Sequence, residues 1–243
     1  MKLCNLRIGA VVCRLFFILN KTDFHSVNQP VIPLPSPSNY PDKDFEPALH
    51  ALYNRIQHIA PLDEQDWWLL QQKIRWETHP KGALLLQPGE VCNHVRFLHE
   101  GAVIYYEHMD EALQLEQVRW IAGPAEMVIE INSFFQRTPT SQYLKCTSPC
   151  SFLTMSYADL QQLYEESPAW NTAGRRLAEA YMLLMAERTY FHQLNSAREK
   201  YHYFLGRFSD VFQLVSLRHI AAFLKIRPET LSRLRKSRLS LES

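Results

Sequence analysis

The sequence predicts an α+β protein: a small antiparallel β-roll, then a long helix, then a helix-turn-helix near the C-terminal end. Short apolar runs and alternations between residues 73 and 157 are separated by Gly and Pro turn signals about every ten residues, as in small β-rolls. A seven-residue apolar spacing follows, which is typical of a long packed helix. Two short amphipathic segments then occupy residues 217–238, with a three-residue connection between them.

The glycine content excludes one common kind of ligand site. The 243 residues include only 7 glycines, roughly half the usual share. The sequence contains neither G-x-G-x-x-G nor G-x-x-x-x-G-K-[ST], so we expect no glycine-rich phosphate loop. No nucleophile, base and orienting residue stand in a recognisable pattern either, so the sequence does not predict an enzyme.

The cysteines predict neither a disulfide framework nor a metal site. Their number is odd, and their spacing matches no zinc or iron–sulfur pattern. We therefore expect structural thiols in a reducing compartment, which favours a cytoplasmic protein. The five cysteines are Cys4, Cys13, Cys92, Cys146 and Cys150.

Residues 1–44 differ in composition from the rest of the chain. The apolar stretch from Leu3 to Leu19 contains Arg7 and Arg14, so it is too short and too charged to span a bilayer. No clear signal-peptidase site follows it. Five prolines lie between residues 30 and 41, which favours extended chain. We expect a poorly ordered Pro-rich extension, or a translation start assigned too early, and no membrane partner.

Residues 45–157 predict a helical entry followed by the roll. Over residues 45–72 the apolar side chains are three or four positions apart, which is the helix period. The pattern then changes to short apolar runs, and Gly82, Gly89 and Gly101 mark turns between them. Strands are predicted near residues 74–78, 83–86, 95–97, 103–106, 113–121, 143–147 and 151–155.

Residues 158–195 predict one long helix. Its apolar stripe has members seven positions apart, namely Trp170, Leu177, Leu184 and Phe191. The stripe could pack against the chain's own roll or against the same helix of a second copy. We favour dimerisation, because the stripe is longer than a small roll needs to cover itself.

The strongest local signal is the pair of short helices predicted at Leu217–Leu224 and Pro228–Arg238. Four apolar residues would fill the wedge between them, namely Ile220, Leu224, Leu231 and Leu234. Ala221 is small enough for the second helix to cross over it, and Pro228 suits the first turn of a helix. Lys225 stands where such turns commonly place Gly at positive φ, which would cost about 1 kcal/mol.

The charge is distributed unevenly along the chain. Residues 196–243 contain ten Lys and Arg against four Asp and Glu, a net charge of +6, whereas the remainder carries −5. A basic segment on an acidic body indicates a polyanionic partner, although charge alone is equally compatible with a solvated surface.

The second helix of the pair has the composition of a DNA-reading helix. Glu229 and Arg233 are four residues apart, so they share one face. An Arg can donate to guanine and a Glu can accept from cytosine, while the surrounding basic residues suit phosphates. The alternative is an amphipathic helix whose charged face meets only solvent. The candidate DNA-binding residues are Arg227, Glu229, Thr230, Ser232, Arg233, Arg235, Lys236 and Arg238.

Several short motifs in one order carry a family resemblance. They are Lys81-Gly82, Pro88-Gly89-Glu90, the run FLHEGAV at 97–103, SAREKY at 196–201 and PETLSR at 228–233. Over residues 45–238 the chain resembles the Crp/Fnr family of transcription regulators. The resemblance implies a cyclic-nucleotide-binding-like jelly roll at 45–157, a dimerisation helix at 158–195 and a DNA-binding domain at 196–243. It implies a homodimer that binds double-stranded DNA at an inverted repeat, with RNA polymerase as a further candidate partner.

The same resemblance argues against the usual effector. Family members that bind cyclic nucleotides use a Gly-Glu-Leu segment and an Arg-Ser or Arg-Thr pair, and this chain has Ile129-Glu130-Ile131 and Thr140-Ser141 instead. Ile129 would crowd the ligand, and Thr140 cannot pair with its phosphate. We therefore expect no cofactor and no tight cyclic-nucleotide binding.

The pocket is then either degenerate or specific for another small molecule. Its candidate residues are Glu130, Arg137, Thr140 and Ser141. The alternative function is a module that senses a cyclic nucleotide or another small molecule and has weak or lost DNA binding.

Overall fold

The structure is a computed structural model that describes residues 43–110 and 115–239. The expected extension at 1–44 lies almost entirely outside these residues. The helices are α1 (Phe45–Gln57), α2 (Glu64–Lys73), α3 (Ile131–Gln136), α4 (Tyr157–Glu166), α5 (Pro168–Gln193), α6 (Ala197–Phe208), α7 (Leu217–Leu224) and α8 (Pro228–Leu239). The strands are β1 (Arg75–His79), β2 (Leu84–Leu86), β3 (His94–Glu100), β4 (Val103–Asp110), β5 (Leu115–Ala122), β6 (Met127–Val128), β7 (Tyr143–Cys146) and β8 (Cys150–Ser156).

The predicted β-roll is confirmed as two four-stranded antiparallel sheets. Their strand orders are β1-β8-β3-β6 and β2-β7-β4-β5, so strands distant in sequence become neighbours. Alternating side chains of both sheets meet in a shared core, as expected when two sheets pack face to face. Its fully buried members include Leu98, Ile104, Ile121, Leu144 and Phe152.

Gly101 makes the tight connection between β3 and β4. Its φ is +98°, a conformation that favours glycine. A Cβ at this position would overlap the carbonyl oxygen of Pro149 and the thiol of Cys150, at the start of β8. The turn glycine predicted from the sequence therefore also allows the β7–β8 connection to approach closely.

The stretch predicted to be helical at 45–72 forms two helices, α1 and α2. Asp63 begins α2 with a capping box, in which its side chain accepts from the Asp66 N–H at 2.9 Å. Trp67 on α2 packs against Trp170 on α5 with ring centroids 5.6 Å apart. This packing attaches the entry helices to the long helix.

The helix predicted at 158–195 is also interrupted. α4 ends at Glu166 and α5 begins at Pro168, because Ser167 is extended and its hydroxyl accepts from the Trp170 N–H at 3.1 Å. Pro168 occupies the first turn of α5, where its missing N–H leaves no bond unmade. α5 remains 26 residues long.

The apolar stripe of α5 faces its own chain. Trp170 and Phe191 are buried, and Leu177 and Leu184 line the space between α5 and the roll. The stripe therefore packs on the protein's own roll in the single chain, and dimerisation through this helix stays a prediction. The opposite side of α5 carries a second row, Ala178, Met182 and Ala186, which is exposed in the single chain.

The predicted helix-turn-helix is confirmed in both its helices and its wedge. Ile220, Leu224 and Leu231 are buried, and Ala221 is buried where the two helices meet. Lys225 has φ +53° and ψ +45°, the left-handed conformation that the sequence predicted for this turn.

The C-terminal segment packs directly on the roll, which the sequence did not predict. α7 lies against β5, and His219 Nε2 is 3.0 Å from Glu116 Oε2. Trp120 on β5 meets Phe208 and Phe223, with ring centroids 5.3 and 6.1 Å away. One continuous apolar core therefore runs from the roll into the helix-turn-helix.

Candidate nucleic-acid interface and central cavity

The candidate DNA-binding residues lie together on α8 and the turn before it. Buried Leu231 and half-buried Leu234 turn one side of α8 towards α7. The opposite side is polar and open to solvent, and it carries Glu229, Ser232, Arg233 and Lys236, with Arg227 in the preceding turn. The helix therefore presents one acidic and two basic side chains to solvent on one face, with Arg227 beside them.

Three other candidate DNA-binding residues are not seen on this exposed face. Arg235 is half-buried, and its guanidinium carbon lies 5.2 Å from the centroid of the Phe212 ring. Thr230 is also half-buried, and the side chain of Arg238 lies outside the described residues. Arg235 therefore has a packing role within the C-terminal segment, besides its charge.

A cavity of about 470 Å³ lies between the roll, α5 and the C-terminal segment. Of the four candidate effector residues, only Glu130 lines it. Its carboxylate accepts from the Ser133 N–H at 2.7 Å and caps α3. The N–H of Ile129 donates to the Tyr105 hydroxyl at 3.0 Å. The Glu130 carboxylate, which the resemblance places in the ligand-binding segment, thus has a partner within the fold.

The structure places the other three candidates away from the cavity. Arg137 donates to the carbonyl oxygens of Cys92 and Phe134 at 2.9 and 3.0 Å, and its guanidinium covers the ring of Tyr157. The backbone of Thr140 pairs with Gly89 and Glu90. Ser141 donates to Glu107 at 3.2 Å on the surface. These residues hold the roll together and do not form a common site with Glu130.

Arginines from four different elements line the cavity instead. They are Arg55 on α1, Arg119 on β5, Arg188 on α5 and Arg207 on α6. The two acidic residues in the lining are Glu126 and Glu130. Sequence reasoning missed this cluster because its members are far apart in the chain. Arg55 and Arg188 each interrupt a mainly apolar helix pattern, which was the available signal.

Two of these arginines make contacts that define the cavity wall. The guanidinium carbon of Arg188 lies 3.4 Å from the centroid of the Trp120 ring, a close cation–π contact. Arg207 forms a half-buried ion pair with Glu126, which joins α6 to the β5–β6 connection. Burial lowers the pKa of both Arg55 and Arg188, because it disfavours their charged forms.

Other chemistries find little support in the described part of the chain. No group of three His, Cys, Asp or Glu residues there could hold a metal ion. Cys92, Cys146 and Cys150 are buried thiols, and burial raises the pKa of Cys92. No helix among the described residues is both long enough and apolar enough to cross a membrane.

Comparisons with known proteins find similarity in structure alone. No family model and no curated protein matches the sequence. FixK2 from Bradyrhizobium japonicum is similar with a TM-score of 0.57 and 14% identity, over 70% of this chain and 86% of that chain. The c-di-GMP-responsive global regulator CLP of Xanthomonas campestris has a TM-score of 0.53 and 18% identity, over 73% and 92%.

A third solved structure extends the same pattern. A CooA variant from Carboxydothermus hydrogenoformans has a TM-score of 0.51 and 18% identity, over 72% of this chain and 79% of that chain. Each comparison covers most of the other chain, and the shared arrangement is a β-roll followed by a long helix and further helices. The resemblance to Crp/Fnr regulators, predicted from short motifs, is therefore confirmed at the level of the fold.

Proposed function

We propose that this protein is a sequence-specific DNA-binding transcription regulator of the Crp/Fnr type. The observation that carries the proposal is α8, a helix with a buried apolar side and an exposed basic side at the end of a helix-turn-helix. The major groove of B-DNA is about 12 Å wide and admits such a helix.

The roles of the exposed residues follow from their chemistry. Arg233 can donate two hydrogen bonds to the O6 and N7 atoms of guanine, and Glu229 can accept from cytosine N4. Arg227 and Lys236 flank this pair and would neutralise phosphates. The first group would select the sequence, and the second would supply affinity that depends on salt.

The protein would act as a homodimer through α5. On its outer side Met182 is 70% exposed and Leu183 is 44% exposed, and Phe135 from α3 is 56% exposed. Ala178, Met182 and Ala186 follow one another at four-residue spacing, which allows two antiparallel or parallel helices to approach closely. A symmetric dimer would present two copies of α8 to half-sites about 34 Å apart.

The effector would not be a tightly bound cyclic nucleotide. The Glu130 carboxylate and the Ile129 N–H are both engaged within the fold, and Thr140 lies outside the cavity. Micromolar binding of cyclic AMP or cyclic GMP in a calorimetric titration would contradict this part of the proposal.

The experiment begins with genome-wide mapping of bound DNA, which supplies the operator and its symmetry. Electrophoretic mobility shifts then compare wild type with Arg233→Ala, for which we expect a loss of about 1–3 kcal/mol and a relaxed base preference. Arg198→Ala is the matched control, because Arg198 is exposed on α6, outside the helix-turn-helix. If Arg233→Ala distinguished between duplexes of different sequence as well as the wild type does, the assigned base contact would be refuted.

The alternative is a small-molecule-sensing module without DNA binding. The close packing of α7 on β5 favours it, because this packing gives the helix-turn-helix a structural role in the chain. A DNA-binding protein should show an affinity that falls steeply with salt, by about 0.9 logarithmic units per phosphate contact. Absence of any shift with genomic fragments at low salt would favour the sensing module.

A further inference from the structure

We propose that the central cavity binds a small molecule through an oxyanion, such as the phosphate of a phosphate ester. Arg188 would be the principal ligand, with Arg55 and Arg207 beside it. This inference goes beyond the proposed function, since the site can be occupied whether or not the protein binds DNA.

The charge of the cavity is the first reason. Its lining contains four arginines and two glutamates, a formal surplus of two positive charges. At the cavity edge Arg119 pairs with Glu107 at 2.7 Å, which reduces the surplus to one positive charge. Arginines gathered away from water repel one another, and an anion is the occupant that would offset their charge.

The environment of Arg188 is the second reason. Among the described residues, no carboxylate lies within ion-pair distance of its guanidinium, and its buried Nε has no hydrogen-bond partner. The adjacent Glu187 lies outside the cavity lining and accepts from the Tyr203 hydroxyl at 2.8 Å. Burial lowers the pKa of Arg188, and a bound anion would reverse that effect.

The contact with Trp120 holds the guanidinium of Arg188 at the cavity wall. Its central carbon lies 3.4 Å from the centroid of the indole ring, so the group is held against the roll before a ligand arrives. The guanidinium carries several N–H donors, and two of them can match the spacing of oxygens in phosphate or carboxylate.

The size and walls of the cavity indicate the class of ligand. About 470 Å³ lies within the usual range for small-molecule sites and exceeds the volume of a phosphate ion. Leu177, Tyr181 and Leu184 form an apolar wall from α5. The ligand would therefore join an oxyanion to a small apolar body.

A ligand in the cavity would contact several parts of the protein at once. Arg188 belongs to the long helix, Arg207 to the C-terminal segment and Trp120 to the roll, and Trp120 also touches Phe223 on α7. An anion shared by Arg188 and Arg207 would tie these parts together. We therefore expect binding to stabilise the packing of the helix-turn-helix on the roll.

Calorimetric titration of the full chain at pH 7.5 tests the site. Inorganic phosphate and succinate are the probes, since they separate a phosphate ligand from a dicarboxylate, and chloride at matched ionic strength is the blank. We expect saturable binding of at least one dianion, and a loss of about tenfold or more in affinity for Arg188→Met. Arg175→Met is the matched control, because Arg175 lies exposed on the same helix and should leave binding unchanged.

Two results would overturn the proposal. One is the absence of saturable binding of both dianions to the wild type. The other is wild-type affinity in Arg188→Met. Arg55→Met provides the decisive variant if Arg188→Met does not fold, and unchanged affinity there would also overturn the site. DNA is absent from these titrations, so neither result bears on the proposed regulator function.

Discussion

Replacement of Lys225 by glycine should stabilise the protein, although it removes a side chain from an exposed turn. Lys225 ends α7 in the left-handed conformation, with φ +53°. Its N–H donates to the Ala222 carbonyl at 3.2 Å, and the Ile226 N–H donates to the Ala221 carbonyl at 3.0 Å. These are the two bonds of a Schellman motif, which glycine forms without the steric cost of a Cβ.

The expected gain is the difference between two opposing effects. Relief of the left-handed conformation is worth about 1–2 kcal/mol. The greater freedom of glycine in the unfolded chain offsets about 0.4–1 kcal/mol of this. We therefore expect the free energy of unfolding to rise by about 0.5–1 kcal/mol, or a melting temperature higher by about 1–4 °C.

Lys225→Ala is the matched control, because it removes the same charge and keeps the Cβ. Urea unfolding followed by far-ultraviolet circular dichroism should place Lys225→Gly above both the wild type and Lys225→Ala. Equal stability of the glycine and alanine variants would refute the assignment of strain to this residue. Both variants should bind DNA with a shallower salt dependence if the Lys225 ammonium contacts a phosphate.

Two further substitutions probe the roll and its contact with α7. Gly101→Ala should destabilise by about 2 kcal/mol or more, because the new Cβ meets the Pro149 carbonyl oxygen; Gly206→Ala, in open space within α6, should instead stabilise by about 1 kcal/mol. Thermal unfolding measures the stability of both variants, and equal changes in melting temperature would contradict the steric role assigned to Gly101. For His219, burial outweighs the nearby Glu116 and lowers the pKa of the imidazole in the folded state. The neutral ring is therefore favoured by folding, and this stabilisation is lost as pH falls below about 6.5. His219→Gln should lose less stability than wild type between pH 7.5 and 5.5 in urea unfolding; an equal loss would contradict this.

The sequence by itself determined the features that depend on near neighbours along the chain. Alternating apolar runs with turn glycines gave the strands of the roll, and Gly101 occupies the left-handed conformation that such a turn requires. The wedge residues gave both helices of the helix-turn-helix, and even the positive φ of Lys225. Each of these follows from local periodicity or from sterics at one residue.

Helix boundaries were harder to predict where a capping residue lies within a continuous apolar pattern. The spacing of apolar residues continues across Ser167-Pro168, so it predicted a single helix, whereas the serine cap and the proline begin a new one there. The capping box of Asp63 and Asp66 begins α2 in the same way, within the stretch predicted to be helical. In both cases a side-chain cap sets the start of a helix where the apolar spacing continues without a break.

Only the tertiary structure decided which surfaces meet. The stripe through Leu177 and Leu184 could face a second copy or the chain's own roll, and in the structure it faces the roll. The guanidinium of Arg137 donates hydrogen bonds to two backbone carbonyl oxygens. Arg188 instead reached a cavity with arginines from three other elements. Periodicity determines that a face is apolar, but its partner depends on contacts between residues far apart in sequence, and no local pattern records them.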